Sequence, residues 1–154
     1  MAKINKPIFI DTNILLRYLI TSFPEHGQVK QSVEILIKHG YTLWVSRQII
    51  REFGMVCTRP QTFMQMMTSY DTTLYMMRVM NIFEIADETA TVTQNLISLM
   101  QKIPVGGKQV HDTNIVATMR ANQIQDLFTL NIADFKRFEP LITLISLTDI
   151  LQMG

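Results

Sequence analysis

Pro7-Ile8-Phe9-Ile10-Asp11-Thr12-Asn13-Ile14-Leu15-Leu16-Arg17-Tyr18-Leu19 is the stretch whose reading decides the fold. Four successive apolar or strand-compatible residues, Pro7 to Ile10, describe a short strand covered on both faces. After Asn13 the apolar residues resume at helical instead of alternating spacing. Between them stands a polar turn of three good helix-capping residues, Asp11, Thr12 and Asn13. The order strand, polar turn, helix places the Asp11 carboxylate at the carboxyl end of the first strand, where open α/β sheets build their ligand crevices. Capping alone would account for one such residue, so the weight of Asp11 depends on whether other acids arrive at equivalent places.

Two others do. Tyr41-Thr42-Leu43-Trp44-Val45 reads as a strand and Ser46 as an N-cap. From Arg47 to Val56 the chain reads as an amphipathic helix with Ile49, Ile50, Phe53 and Val56 on one face and Glu52 at its border. Further on, Gly106-Gly107 precedes a helix whose first turn carries Asp112, with Ile115, Val116 and Met119 as its apolar stripe. A first-turn carboxylate also favours the helix dipole. Asn114 extends the polar face of that turn. Asp126 to Leu130 reads as another short strand, and Asn131 stands just past its end in a common turn position.

Taken together these segments resemble the PIN-domain ribonucleases, and among them the small single-domain VapC-type toxins of prokaryotic toxin–antitoxin modules. The resemblance rests on Ile8 to Leu15, Ser46 to Glu52, Val110 to Ala117, and Thr129-Leu130-Asn131 with Asp134-Phe135, in family order across nearly the whole chain. It implies a cluster of acidic residues that binds Mg²⁺ or Mn²⁺, falling here on Asp11, Glu52, Asp112 and, at the fourth place, Asn131. Many relatives carry Asp at that place, so the neutral amide puts a second ion in question. Thr12, Asn13, Ser46, His111, Asn114 and Thr129 are the residues expected to support those ligands or to touch substrate. The resemblance further implies an RNA substrate, a cognate antitoxin protein and a homodimer.

The residue chemistry agrees with that implication. Hard cations take oxygen ligands, and Mg²⁺ keeps several waters while using one or two carboxylates directly. Carboxylates crowded together without a cation repel and raise one another's pKa.

At 154 residues with 47% apolar content the chain is one domain's worth, 1–154, able to bury a core. The balance of 14 basic and 13 acidic residues leaves a net charge of +1, which excludes grip on nucleic acid by bulk electrostatics. Local candidates for that grip are Arg17, Arg47, Arg51 and Lys108, each read first as an ordinary solvated charge. A single cysteine, Cys57, forms no internal disulfide and has no ligand-spaced partner, so the expected compartment is the reducing cytoplasm and neither a thiol nucleophile nor a zinc site is expected. Residues 1–5 lack a signal-like apolar core, and no run is long enough to span a membrane.

The Met-rich stretch from Pro60 to Met80 is read mainly as core, with a dimer or antitoxin groove as the second reading. Asn81 to Ile85 is expected as a strand, and Asp87 as the cap of a helix from Glu88 to about Lys102. Leu141 to Leu147 is expected as a last strand, with Thr148 or Asp149 capping a final turn. Alternation of this kind predicts a three-layer α/β/α sandwich around a mainly parallel sheet. Its strand ends would bring Asp11, Glu52, Asp112 and Asn131 to one edge. Two other functions remain open. A phosphatase of the haloacid-dehalogenase kind also places Asp after its first strand, but it wants a second Asp where this chain has Asn13. A PIN-like scaffold could bind RNA or a partner without cutting. Gly106-Gly107 lacks the rest of a phosphate-binding loop motif.

Overall fold

The computed structural model describes residues 5–154, so the leader reading of the first residues falls, apart from Asn5, outside what is described. Five short strands, β1 (Lys6–Ile10), β2 (Tyr41–Ser46), β3 (Glu84–Ala86), β4 (Asp126–Phe128) and β5 (Thr143–Ile145), form one sheet in the order β3-β2-β1-β4-β5. All four pairings are parallel. The central strand explains why: Ile8, Phe9 and Ile10 point alternately to opposite faces and all are buried, so both faces of the sheet are covered. The cover is helical and supplies the outer layers of the α/β/α sandwich. Its helices are α1 (Thr12–Leu19), α2 (His26–Lys38), α3 (Arg47–Cys57), α4 (Ser69–Ile82), α5 (Ala90–Lys102), α6 (Gln109–Ala121), α7 (Ile132–Phe135) and α8 (Leu147–Leu151).

The chain winds outward from β1 to β2 and β3, then crosses back to lay β4 on the other side of β1. The strand order therefore reverses between β1 and β4, and a crevice opens beyond the carboxyl ends of those two strands. Phe9, Phe53 and Phe128 fill the core beneath it with no exposure. Replacing one of them with alanine would cost on the order of 3–5 kcal/mol.

Several boundaries differ from the sequence reading. Asn81 and Ile82 stay in α4, and the strand begins only at Glu84, because Val79 still anchors the last turn of that helix in the core. Helix α5 is capped by Thr89, whose Oγ1 accepts from Val92 N, and not by Asp87. Asp87 and Glu88 instead face Arg47 at 3.0 Å and Arg51 at 2.7 Å. Strand β4 stops at Phe128, and Thr129 and Leu130 form the turn that bonds to Asp11 and Asn13 behind the crevice. The last strand is Thr143–Ile145, and Ser146 caps α8 in a reciprocal box with Asp149.

The Met-rich stretch is core only in part. Met64 is buried and Met67 and Met76 pack on the core, whereas Tyr70 is 72% exposed, Leu74 50% and Met77 61%. Those three stand at i, i+4 and i+7 on α4, one continuous apolar stripe facing outward. Among the described residues no helix is long and apolar enough to cross a membrane.

Candidate active site

Asp11 leaves β1 in extended conformation and caps α1 through its own side chain, Oδ1 accepting from Thr12 N at 2.8 Å. Its backbone N–H donates to Phe128 O at 3.1 Å, which ties the turn to the end of β4. The second oxygen, Oδ2, accepts from Thr129 Oγ1 at 2.7 Å and from Asn13 Nδ2 at 3.3 Å. Thr129 spends its one hydroxyl proton on that carboxylate and accepts from Asn131 N at 3.0 Å. Asn13 completes the link by accepting from Leu130 N at 3.2 Å. The turn after β1 and the turn after β4 are thus one hydrogen-bonded unit across the switch point.

Glu52 is drawn into the same unit from α3. Ser46 starts that helix as expected, its Oγ accepting from Ile49 N at 3.2 Å. One turn later Gln48 and Glu52 share a face as an i, i+4 pair, and Gln48 Nε2 donates to Glu52 Oε1 at 2.9 Å. The other Glu52 oxygen accepts from Thr12 Oγ1 at 2.7 Å. Gln48 also donates to His111 O at 2.9 Å and accepts from Asn114 Nδ2 at 2.7 Å, so it joins α3 to the first turn of α6, which carries Asp112. Gln48 is nearly inaccessible, at 4% exposure, and every polar contact it makes is to this site. The sequence reading missed it, although the i+4 spacing to Glu52 was visible.

Asp11, Thr12, Asn13, Glu52, His111, Asp112 and Asn131 together line a cleft of about 610 Å³. All four expected ligand positions are therefore on one wall system. Of the supporting residues, Thr129 lies buried directly behind Asp11. Asn114 reaches the site only through Gln48, and Ser46 is a buried helix cap that does not line the cleft. The expected cationic contacts need correction. Arg17 is bound to Glu25 and to Asn13 O and lies over the Phe23 ring, Arg47 pairs with Asp87, and Lys108 does not line the cleft. Arg51 does line it, with Arg59 beside it.

The electrostatics follow from this crowding. Burial pushes the Asp11 carboxyl up to about 6, against the hydrogen bonds from Thr129 and Thr12, and the charges of Glu52 and Asp112 add to the rise. Asp112 is also pushed up to about 6, by burial first and then by Asp134 and Glu52, against the pull of Arg137 and His111. Asp134 and Arg137 thus belong to the field of the site. The sequence reading used Asp134 only as a marker and gave Arg137 no role.

A remaining buried acid, Asp126, stands at the opposite, amino edge of the sheet with Lys6 Nζ at 2.8 Å and takes no part. Cys57 is buried, which pushes its thiol up to about 11 and agrees with the absence of a thiolate role.

The donor set facing the cleft is rich in oxygen, the preference of Mg²⁺ and Mn²⁺. Among the described residues no three Asp, Glu, His or Cys side chains are drawn together closely enough to hold a metal ion directly. The arrangement fits an ion held by one or two carboxylates and otherwise by water, which is the usual Mg²⁺ habit. Among the described residues no side chain or backbone N–H donates to the Asp112 carboxylate, which lines the cleft and is open to such contact.

No protein-family model matches the sequence, and no curated protein matches it. Solved structures do match. A chain of VapBC2 from Rickettsia felis, solved bound to a DNA fragment from their promoter, is 21% identical with a TM-score of 0.67, covering 91% of this chain and 98% of that one. A toxin–antitoxin complex from Klebsiella pneumoniae gives 19% identity and 0.63, over 88% and 95%. VapC20 of Mycobacterium tuberculosis, a sarcin-ricin loop cleaving toxin, gives 15% and 0.61, over 82% and 92%. The fold is that of these VapC-type, PIN-like structures.

Proposed function

We propose that this chain is a Mg²⁺- or Mn²⁺-dependent endoribonuclease and the toxin of a toxin–antitoxin pair. The observation that carries the reading is the delivery of Asp11, Glu52 and Asp112, from three separate elements, to one cleft at the strand-order reversal, with Asp11 and Asp112 pushed up to about 6, by burial first and then by neighbouring carboxylates. The similar folds, toxin–antitoxin complexes and a sarcin-ricin loop cleaving toxin among them, support the substrate class and the antitoxin.

When bound, a divalent cation here would lower the pKa of a coordinated water and neutralise charge on the scissile phosphodiester. The protein's part is placement. The Thr12 N–H holds one Asp11 oxygen, and Thr129 and Asn13 hold the other, on the wall of the cleft. Thr12 and Gln48 clamp Glu52 in one rotamer. Asp112 presents an oxygen pair that takes no donor among the described residues, and Asn131 offers a neutral amide on the cleft wall, able to orient water or a phosphate oxygen.

A homodimer belongs to the same reading, and the outward stripe Tyr70, Leu74 and Met77 on α4 supports it as a self-association face. The deciding assay is incubation of purified protein with RNA under Mg²⁺ or Mn²⁺, with EDTA in the control. Internal cleavage that stops with EDTA is expected. Cleavage unchanged by EDTA refutes the metal mechanism, and trapping of phosphate on Asp11 would replace it with phosphatase chemistry.

A further inference from the structure

The cleft is far larger than a hydrated cation requires. At about 30 Å³ per water, an ion with its first shell takes on the order of 200 Å³, against the 610 Å³ present. Besides the acids, the same cleft is lined by Leu16, Met55 and Val56 and by Arg51 and Arg59, and Met55, Val56 and Arg59 follow Glu52 along α3 and just past its carboxyl end.

Met55 is 54% exposed although it stands on a cleft wall, and Arg59 is exposed with no carboxylate partner among the described residues, whereas Arg51 is held by Glu88. An apolar wall next to an unneutralised cation, at hand to a phosphodiester-cutting centre, matches one nucleotide: a flat aromatic base and an anionic phosphate. A methionine thioether makes favourable contact with aromatic rings, and it adapts to purine and pyrimidine alike.

We propose that this arm of the cleft is a subsite for one unstacked nucleotide of single-stranded RNA, its base against Met55, Val56 and Leu16 and an adjoining phosphate on Arg59. The inference rests on the ribonuclease reading and names where its substrate lies. It also accounts for a nearly neutral chain gripping a polyanion, since one unpaired cation beside the cut does what bulk charge does not. A base inside a duplex cannot enter the arm without leaving its stack, so the subsite selects loops and single strands.

The test measures binding of labelled RNA octamers in Mg²⁺ by an Asp11→Asn background, which keeps the RNA intact. Single strand is expected to bind at least tenfold tighter than the same sequence in duplex. Arg59→Ala, at an exposed position whose loss leaves folding intact, should weaken single-strand binding about fivefold and flatten the dependence of log affinity on log salt by roughly 0.7. Arg59→Lys should restore the slope. Met55→Ser should weaken the normal octamer about threefold and leave an octamer of abasic residues unaffected.

Equal affinity for duplex and single strand, an unchanged salt slope in Arg59→Ala, or an equal loss on the abasic chain in Met55→Ser overturns the subsite. If the native protein still cuts RNA in that event, the ribonuclease reading stands without it. If the native protein neither binds nor cuts RNA, both fall.

Discussion

Asp11→Asn should make the metal-free protein more stable and inactive at once. The wild-type carboxyl is 6% exposed and its pKa is raised from 3.8 to about 6. Because the raised value belongs to the folded state, the fold holds this proton more tightly than the unfolded chain does. The associated stability is fully present below about pH 4 and is lost as pH rises through 6. At pH 8 the ionised group therefore costs the fold close to two pKa units, about 3 kcal/mol.

Asn removes that cost while keeping an oxygen to accept from Thr12 N. It returns part of the gain, because its NH₂ faces the Asn13 amide donor and requires the Thr129 hydroxyl to reverse. One displaced hydrogen bond is worth about 1 kcal/mol, leaving a net gain of about 1–2 kcal/mol. For a chain of this size that is a rise of roughly 3–8 °C in melting temperature at pH 8. The assay is thermal unfolding in EDTA from pH 8 to pH 4, with cleavage in Mg²⁺ measured alongside. The variant's advantage should shrink steadily below pH 6, vanish near pH 5 and turn into a small disadvantage by pH 4, where only its lost hydrogen bond remains, and cleavage should fall by several powers of ten at every pH. A variant less stable than wild type at pH 8, with the same pH profile, would refute the claim that Asp11 is a destabilised charge held for function.

Asp112→Ala should abolish metal-dependent cutting as thoroughly, and wild-type activity there would remove the proposed site. Asn131→Ala should need more Mg²⁺ but recover at saturation in a metal titration, and an unrecoverable loss would mean that the amide position matters as much as the acids. Gln48→Leu should lower cleavage about 10- to 100-fold by freeing Glu52, as loss of a ligand-orienting partner does, and the effect should appear in kcat; activity unchanged in steady-state kinetics would reduce Gln48 to a packing residue. The protein is expected to sediment as the proposed dimer and Leu74→Asp combined with Met77→Asp as a monomer, whereas a dimer that persists in the variant would place self-association elsewhere than on α4, and a monomeric wild type would refute the dimer.

The parts of this molecule readable from sequence were those in which local pattern and global fold demand the same thing. The run Pro7 to Ile10 has to be a central strand because every residue is apolar, and Asp11 after it has to lie at the carboxyl edge of a parallel sheet. Ser46 as a helix cap and Asp112 in a helix first turn follow from equally local rules. The misplaced elements are those in which neighbours overrule the residue. Asp87 and Glu88 are good cap residues diverted to Arg47 and Arg51 of α3, 40 and 37 positions away, so the cap falls to Thr89. Arg17 likewise is engaged inside the fold, its guanidinium being used by Glu25, Asn13 O and Phe23.

Gln48 shows the deeper limit. No local rule distinguishes it from a surface glutamine, yet three partners converge on it from α3 and α6, and burial would be costly without them. Its importance is a property of the assembled site. Acid positions can be inferred from strand ends, but the groups that aim those acids are found only after the chain has closed on itself. That is why the fourth position is better judged by what Asn131 touches than by its residue type. Its N–H is tied to Thr129, the residue that holds Asp11, so the turn after β4 already serves the first carboxylate before Asn131 contributes any ligand of its own.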